Sequence, residues 1–123
     1  MVEEFDREKA KKFLLAKEEK EKEQKEKERS TVLQKTLSFL QKEFKGSTVE
    51  VYLVGSILQP FQFSTHSDVD IVLKNYQGDR FNFWIKLEKE IGRRVEIIPF
   101  ETCRFQEFVL KNGYNIWKNT QFS

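Results

Sequence analysis

The sequence predicts an α+β domain, and three observations carry that prediction. Short β-branched and aromatic runs lie at 48–54, 68–73 and 94–99; segments with helical apolar spacing stand before, between and after them; and a long charged stretch precedes them all. At 123 residues the chain has room for one domain. Reading the elements in order gives a small mixed sheet packed against helices, with a charged helical arm at the amino end.

The arm comes first. From Lys17 to Thr31 there is no strongly apolar residue, so this stretch cannot be core. It can be helical, because Glu18 with Lys22, Glu21 with Lys25 and Glu23 with Lys27 are i,i+4 pairs in the favourable order. Phe5, Phe13, Leu14 and Leu15 form an apolar group with no home in the core. A solvated arm and a partner-docking arm both fit. Burial of those side chains favours docking on a partner chain or a second copy. The division read from this is 1–30 as arm and 31–123 as core domain, so that a chain lacking residues 1–29 still folds.

Ser30–Thr31 is read as the cap of a helix through Val32, Leu33, Leu37, Leu40 and Phe44, stopped at Gly46. The strand Thr48–Val54 follows and ends at Gly55–Ser56. A second strand, Asp68–Leu73, places Asp68 and Asp70 two apart and therefore on one face, roughly 7 Å from Cα to Cα. The turn 76–79, with Asp79 as cap, leads into a helix spaced by Phe81, Trp84, Ile85, Glu88 and Ile91 and closed by Gly92. The strand Arg94–Pro99 carries Glu96 among Val95, Ile97 and Ile98. A helix from about Thr102 to Lys111 ends at Asn112–Gly113, and 114–117 adds a short edge strand.

Two carboxylates this close repel unless a cation lies between them, and the hard oxygen donors suit Mg²⁺. Glu96, an acid within an apolar strand, is the natural third member; its plainer reading is an edge residue paired with Arg93 or Arg94. Gly55 lets the backbone approach an anion, and the exposed N–H groups of the turn, with the Ser56 hydroxyl, suit phosphate oxygens. Ser67 orients Asp68 or adds a phosphate contact, and His66 reads as a solvated loop residue. The aromatics Phe61, Phe63, Phe81, Phe83 and Trp84 read as core, Cys103 as an inert thiol, and Tyr114 and Trp117 as candidates for a partner surface.

Gly-Ser, about ten residues, Asp-x-Asp and a third acid on a later strand resemble the minimal nucleotidyltransferases of the polymerase-β-type superfamily, over about Thr31 to Trp117. The resemblance implies a polymerase-β-like fold in which Gly55, Ser56 and Ser67 hold the triphosphate of ATP. Asp68 and Asp70 would bind one or two Mg²⁺ ions, and Glu96 would complete the site as ligand or base. It also implies transfer of AMP to a hydroxyl, a tyrosine in some members, of a HEPN-family toxin for which the chain serves as antitoxin. The chain departs from the pattern after Gly-Ser, where many members carry an arginine and this one reads Ile57-Leu58-Gln59-Pro60-Phe61-Gln62-Phe63. That departure supports an alternative, a non-catalytic module that neutralises the HEPN partner by association.

Composition excludes other classes. A net charge of +2 is too weak to indicate direct nucleic-acid binding. One cysteine rules out an internal disulfide and a cysteine-based zinc set. With no signal peptide and no apolar run near eighteen residues, the expected setting is cytoplasmic, away from any membrane.

Overall fold

A computed structural model describes residues 6–118. Its elements are α1 (Arg7–Phe44), β1 (Glu50–Val54), β2 (Val69–Lys74), α2 (Arg80–Ile91), β3 (Val95–Pro99), α3 (Gln106–Asn112) and β4 (Tyr114–Asn115). Two single 3-10 turns, Gly55–Leu58 and Phe100–Thr102, join them. The chain is thus α+β, with a four-stranded mixed sheet in the order β3-β2-β1-β4. β1 runs antiparallel to β2 and β4, and β2 runs parallel to β3 through the α2 crossover. Among the described residues, no helix is long and apolar enough to cross a membrane.

Strand alternation sorts the apolar residues into two cores. Val51, Leu53, Val69, Ile71, Leu73 and Val95 point to α1 and α2, where they meet Val32, Leu40, Phe44, Phe83, Leu87 and Ile91. Tyr52, Val54, Val72 and Ile98 point the other way, toward Phe100 and Val109. Phe63 and Phe83 are core, as read, whereas Phe61 and Phe81 are exposed. Trp117 packs on the main core and donates to the Val49 carbonyl at 3.1 Å, so it closes the sheet edge and is not a free surface residue.

The α2 boundaries follow the sequence closely. Asp79 accepts from the amides of Phe81 and Asn82, and Gly92 ends the helix at φ 69°. α3 is shorter than expected, because 100–102 forms a 3-10 turn and the helix proper starts at Gln106. The edge strand is present but only two residues long.

α1 corrects the largest expectation about local structure. It does not begin at Ser30–Thr31 but runs unbroken for 38 residues from an Asp6 cap, whose carboxylate accepts from the amides of Glu8 and Lys9. Thr31 does not cap: its hydroxyl donates back to the Lys27 carbonyl at 2.8 Å, a bond that an interior helical threonine makes. Phe13, Leu14 and Leu15 are exposed, and Phe5 lies outside the described residues. Only the last turn before Ser30 touches the core, through Glu26, Glu28 and Arg29.

Candidate functional site

The three acids converge at one end of the sheet. Asp70 on β2 stands opposite Val54 on β1 and opposite Glu96 on β3. Since Ile71 is buried toward the helices and Ile97 packs there half-buried, Asp70 and Glu96 share the opposite face with Val54 and Ile98. Asp68 lies just before β2, with Arg94 Nε 3.8 Å from its Oδ1. That Arg94 side chain is 86% exposed, so the contact contributes little and leaves Asp68 free to take another cation. Arg93, the other candidate partner for Glu96, is turned to Glu28.

Asp70 is the electrostatic focus. Partial burial first, then the charges of Glu96 and Asp68, and a hydrogen bond with Glu96, raise its pKa to about 6. An acid held this far above its ordinary value by burial and by two like charges is stabilised in its ionised form by any cation that enters among them.

Gly55 explains why the glycine stands where it does. Its φ is +86°, and a Cβ at this position would come within 2.5 Å of Asp70 Oδ2. The turn and the carboxylate therefore share a space that no side chain can enter. Replacing Gly55 with Ala is expected to cost about 1–2 kcal/mol from the left-handed backbone alone and to push Asp70 out of place. A denaturant midpoint gives the first effect, and the Asp70 titration followed by NMR gives the second.

An open groove of about 500 Å³ begins at Asp70 and Glu96, lined by them with Val54 and Ile98 from the sheet and by 102–105 from the connection. Cys103 is half-buried in that wall. A larger groove of about 800 Å³ lies between α1 and α2, but Lys35, Lys42, Lys86, Glu43 and Glu90 line it and none of the three acids does. Chemistry, not size, marks the smaller groove as the candidate site.

No family model matches the chain, and neither a curated protein nor a solved structure matches it significantly. The site therefore stands on its own geometry.

Among the described residues, no group of three or more His, Cys, Asp or Glu side chains is placed to hold a metal ion. An open carboxylate pair remains a fit for Mg²⁺, which is ordinarily held by one or two carboxylates with substrate phosphates supplying other positions. Gly55 and Ser56 occupy the first half of the 3-10 turn directly beside Asp70, where a phosphate group would meet both the acids and the turn. Ser67 has a local task. Its Oγ accepts from the Ser64 amide at 2.9 Å and lies 3.3 Å from Ser64 Oγ, which shapes the loop before Asp68. His66 is exposed at the tip of that loop.

Sequence reading missed the groups that hold this loop. Arg93 was considered only as a partner for Glu96, yet it reaches Glu28 at 2.7 Å and the Ser64 carbonyl. Its sequence neighbours gave no sign of this, because both partners are distant in the chain.

Proposed function

We propose that the chain is a minimal nucleotidyltransferase with a polymerase-β-like fold. It transfers AMP from ATP to a hydroxyl, most readily a tyrosine, of a partner protein, and acts in the cytoplasm as antitoxin to a HEPN ribonuclease toxin. The single observation that supports this reading best is the Gly55–Asp70 juxtaposition beside Glu96: a turn suited to phosphate directly faces a carboxylate suited to a cation.

Mg²⁺ bound there would neutralise triphosphate oxygens and acidify the attacking hydroxyl. The chain's own residues do the rest. Asp68 and Asp70 would hold the cation, the Gly55–Ser56 turn would let the backbone reach the phosphates, and exposed Glu96 would receive the proton of the acceptor hydroxyl. The acceptor oxygen bonds to the α-phosphorus as the bond to the bridging oxygen breaks and pyrophosphate leaves. The groove beyond Glu96, open toward 102–105, is where an acceptor side chain would approach.

The non-catalytic reading keeps one specific support. The turn continues into buried Ile57 and then Gln59 and Pro60, and so places no arginine over the phosphates. Incubating the protein with ATP, Mg²⁺ and its candidate toxin separates the two readings by mass spectrometry. Transfer adds one AMP to the toxin and is lost in Asp68→Asn; association without any mass gain assigns the chain to the binding module instead.

A further inference from the structure

Two segments present the candidate site, and both are fastened to one turn of α1. Arg29 Nη1 donates to the Ile57 carbonyl at 2.9 Å, which fixes the far end of the Gly55–Leu58 turn. Glu26, itself held by Arg29 at 2.9 Å, accepts from the Phe61 amide at 2.5 Å. Those two bonds, the Arg29 side chain first, hold the Glu26 carboxyl below its usual pKa. Phe61 has φ 66°, a left-handed conformation that a phenylalanine adopts only when its surroundings impose it. Half exposed, Phe61 gains little from packing, and the bond from its amide to Glu26 is the constraint that holds it.

The second fastening reaches Asp68. Glu28 accepts from Arg93 Nη1 at 2.7 Å, while Arg93 Nη2 donates to the Ser64 carbonyl and lies 3.5 Å from the Ser67 carbonyl. The guanidinium is stacked 4.4 Å from the centre of the buried Phe63 ring. Its Nε is buried and has no hydrogen-bond partner among the described residues. A guanidinium that forgoes one of its donors to keep this pose is held by the other contacts, Glu28 and the two loop carbonyls. Between Phe63 and Asp68 there is no regular structure; the loop's own bonds include Ser67 N–H to the Ser64 carbonyl at 3.1 Å, Ser64 N–H to Ser67 Oγ at 2.9 Å and His66 N–H to Ser64 Oγ at 3.3 Å.

We propose that Glu28 and Arg93 are positioning residues for Asp68: by clamping the Ser64 and Ser67 carbonyls they fix the segment that carries the carboxylate, and so make the arm helix part of the site. The clamp is a claim about structure and stands by itself. Its effect on transfer rests on the nucleotidyltransferase reading above.

The test uses the full chain with Glu28→Gln, Arg93→Met and Arg93→Lys, reading amide exchange at Ser64 and Ser67 alongside transfer kinetics. Glu28→Gln keeps shape and removes the charge. It is expected to speed exchange at those two amides about 10-fold while leaving the sheet amides protected. kcat should fall on the order of 10-fold, with the KM for ATP changed less, because a displaced carboxylate disturbs reacting geometry. Arg93→Met should be worse on both counts, and Arg93→Lys should recover part of each, since an ammonium can still meet Glu28 and one carbonyl. Unchanged exchange at Ser64 and Ser67 in both Glu28→Gln and Arg93→Met overturns the clamp. Faster exchange spread evenly over the sheet also overturns it, by reducing both residues to general stability. A loosened loop with wild-type kcat overturns the positioning role. If the wild-type protein transfers nothing to any acceptor, the function proposed above falls, and the exchange pattern still decides the clamp.

Discussion

Asp70→Asn should melt at a higher temperature than the wild-type protein at pH 8 and yet lose most of its nucleotide transfer. The two effects have one cause. Partial burial and the charges of Glu96 and Asp68 hold the Asp70 pKa at about 6, above the ordinary carboxylate value, so its ionised form is disfavoured in the folded chain. The sign follows from linkage. Because the folded state binds the proton more tightly than the unfolded state, native stability falls as pH rises from about 4 to about 6 and is level above that. Asparagine removes the charge and keeps the shape. Asp70 is only half-buried, so solvent screening reduces the gain to on the order of 1 kcal/mol at neutral pH and above, or roughly 4 °C in Tm. The gain should vanish near pH 4, where both forms are neutral. Added Mg²⁺ should raise the Tm of the wild-type protein and not that of Asp70→Asn, because the wild type alone retains the full set of repelling carboxylates. Transfer should drop by roughly 10²-fold or more, as expected when the cation that neutralises the developing charge loses one of its holders. Equal melting of the two proteins across pH 4–8 would remove the electrostatic account of this site, and transfer at the wild-type rate would remove Asp70 from the chemistry.

That trade of stability for charge is also what made the site legible from the chain. Asp70 and Glu96 were visible because each breaks the apolar rule of its strand, and Asp68 because it stands two residues before Asp70 at the strand's edge. Their convergence needed only strand alternation and the α2 crossover, both set by local pattern. The same pattern gave β1, β2, β3 and α2 to within two residues at each end. What stayed hidden depended on pairs far apart in sequence. The start of α1 was misplaced because Ser30–Thr31 looks like a cap, and only the back-bond from Thr31 to Lys27 shows that it is helix interior. Likewise Glu26, Glu28 and Arg29 read as members of a solvated charge run until Ile57, Phe61 and Arg93 are seen against them. Periodicity ranks such residues as surface, because they are polar on every face. Their partners are backbone groups and one arginine, which leave no mark in composition. α3 was overextended for a related reason. Gln106 Nε2 donates to the Phe100 carbonyl at 2.8 Å, and the chain between them closes as a 3-10 turn and a second turn instead of helix.

Two truncations of the arm should give different outcomes. Removing residues 1–24 is expected to leave the Tm nearly unchanged, since the residues lost from α1 are almost all exposed and their i,i+4 pairs contribute only tenths of a kcal/mol each. The cut also leaves Glu26 and Glu28 in the first turn of the shortened helix, where its dipole favours acids. Removing residues 1–29 takes away the Arg29 bond to the Ile57 carbonyl and the Glu28 partner of Arg93, whose side chain is only 12% exposed. The loss of these two charge-assisted contacts should cost on the order of 3 kcal/mol, a large share of the stability of a domain this small. The boundary near residue 30 that the charge run suggests would then sit one helical turn too late. The outer arm makes a separate prediction: Phe13, Leu14 and Leu15 are exposed on a helix that continues unbroken into the core. With a rise of about 1.5 Å per residue they stand roughly 17–20 Å beyond Glu26, out of reach of their own domain. A partner chain or second copy would bury them, so the 1–24 truncation should weaken association while sparing the fold. Differential scanning calorimetry and sedimentation of both truncations settle the point. Equal melting of the two would show that the 26–29 turn contributes nothing to the core, and undiminished association of the shorter deletion would show that the apolar tip of the arm is not what the partner holds.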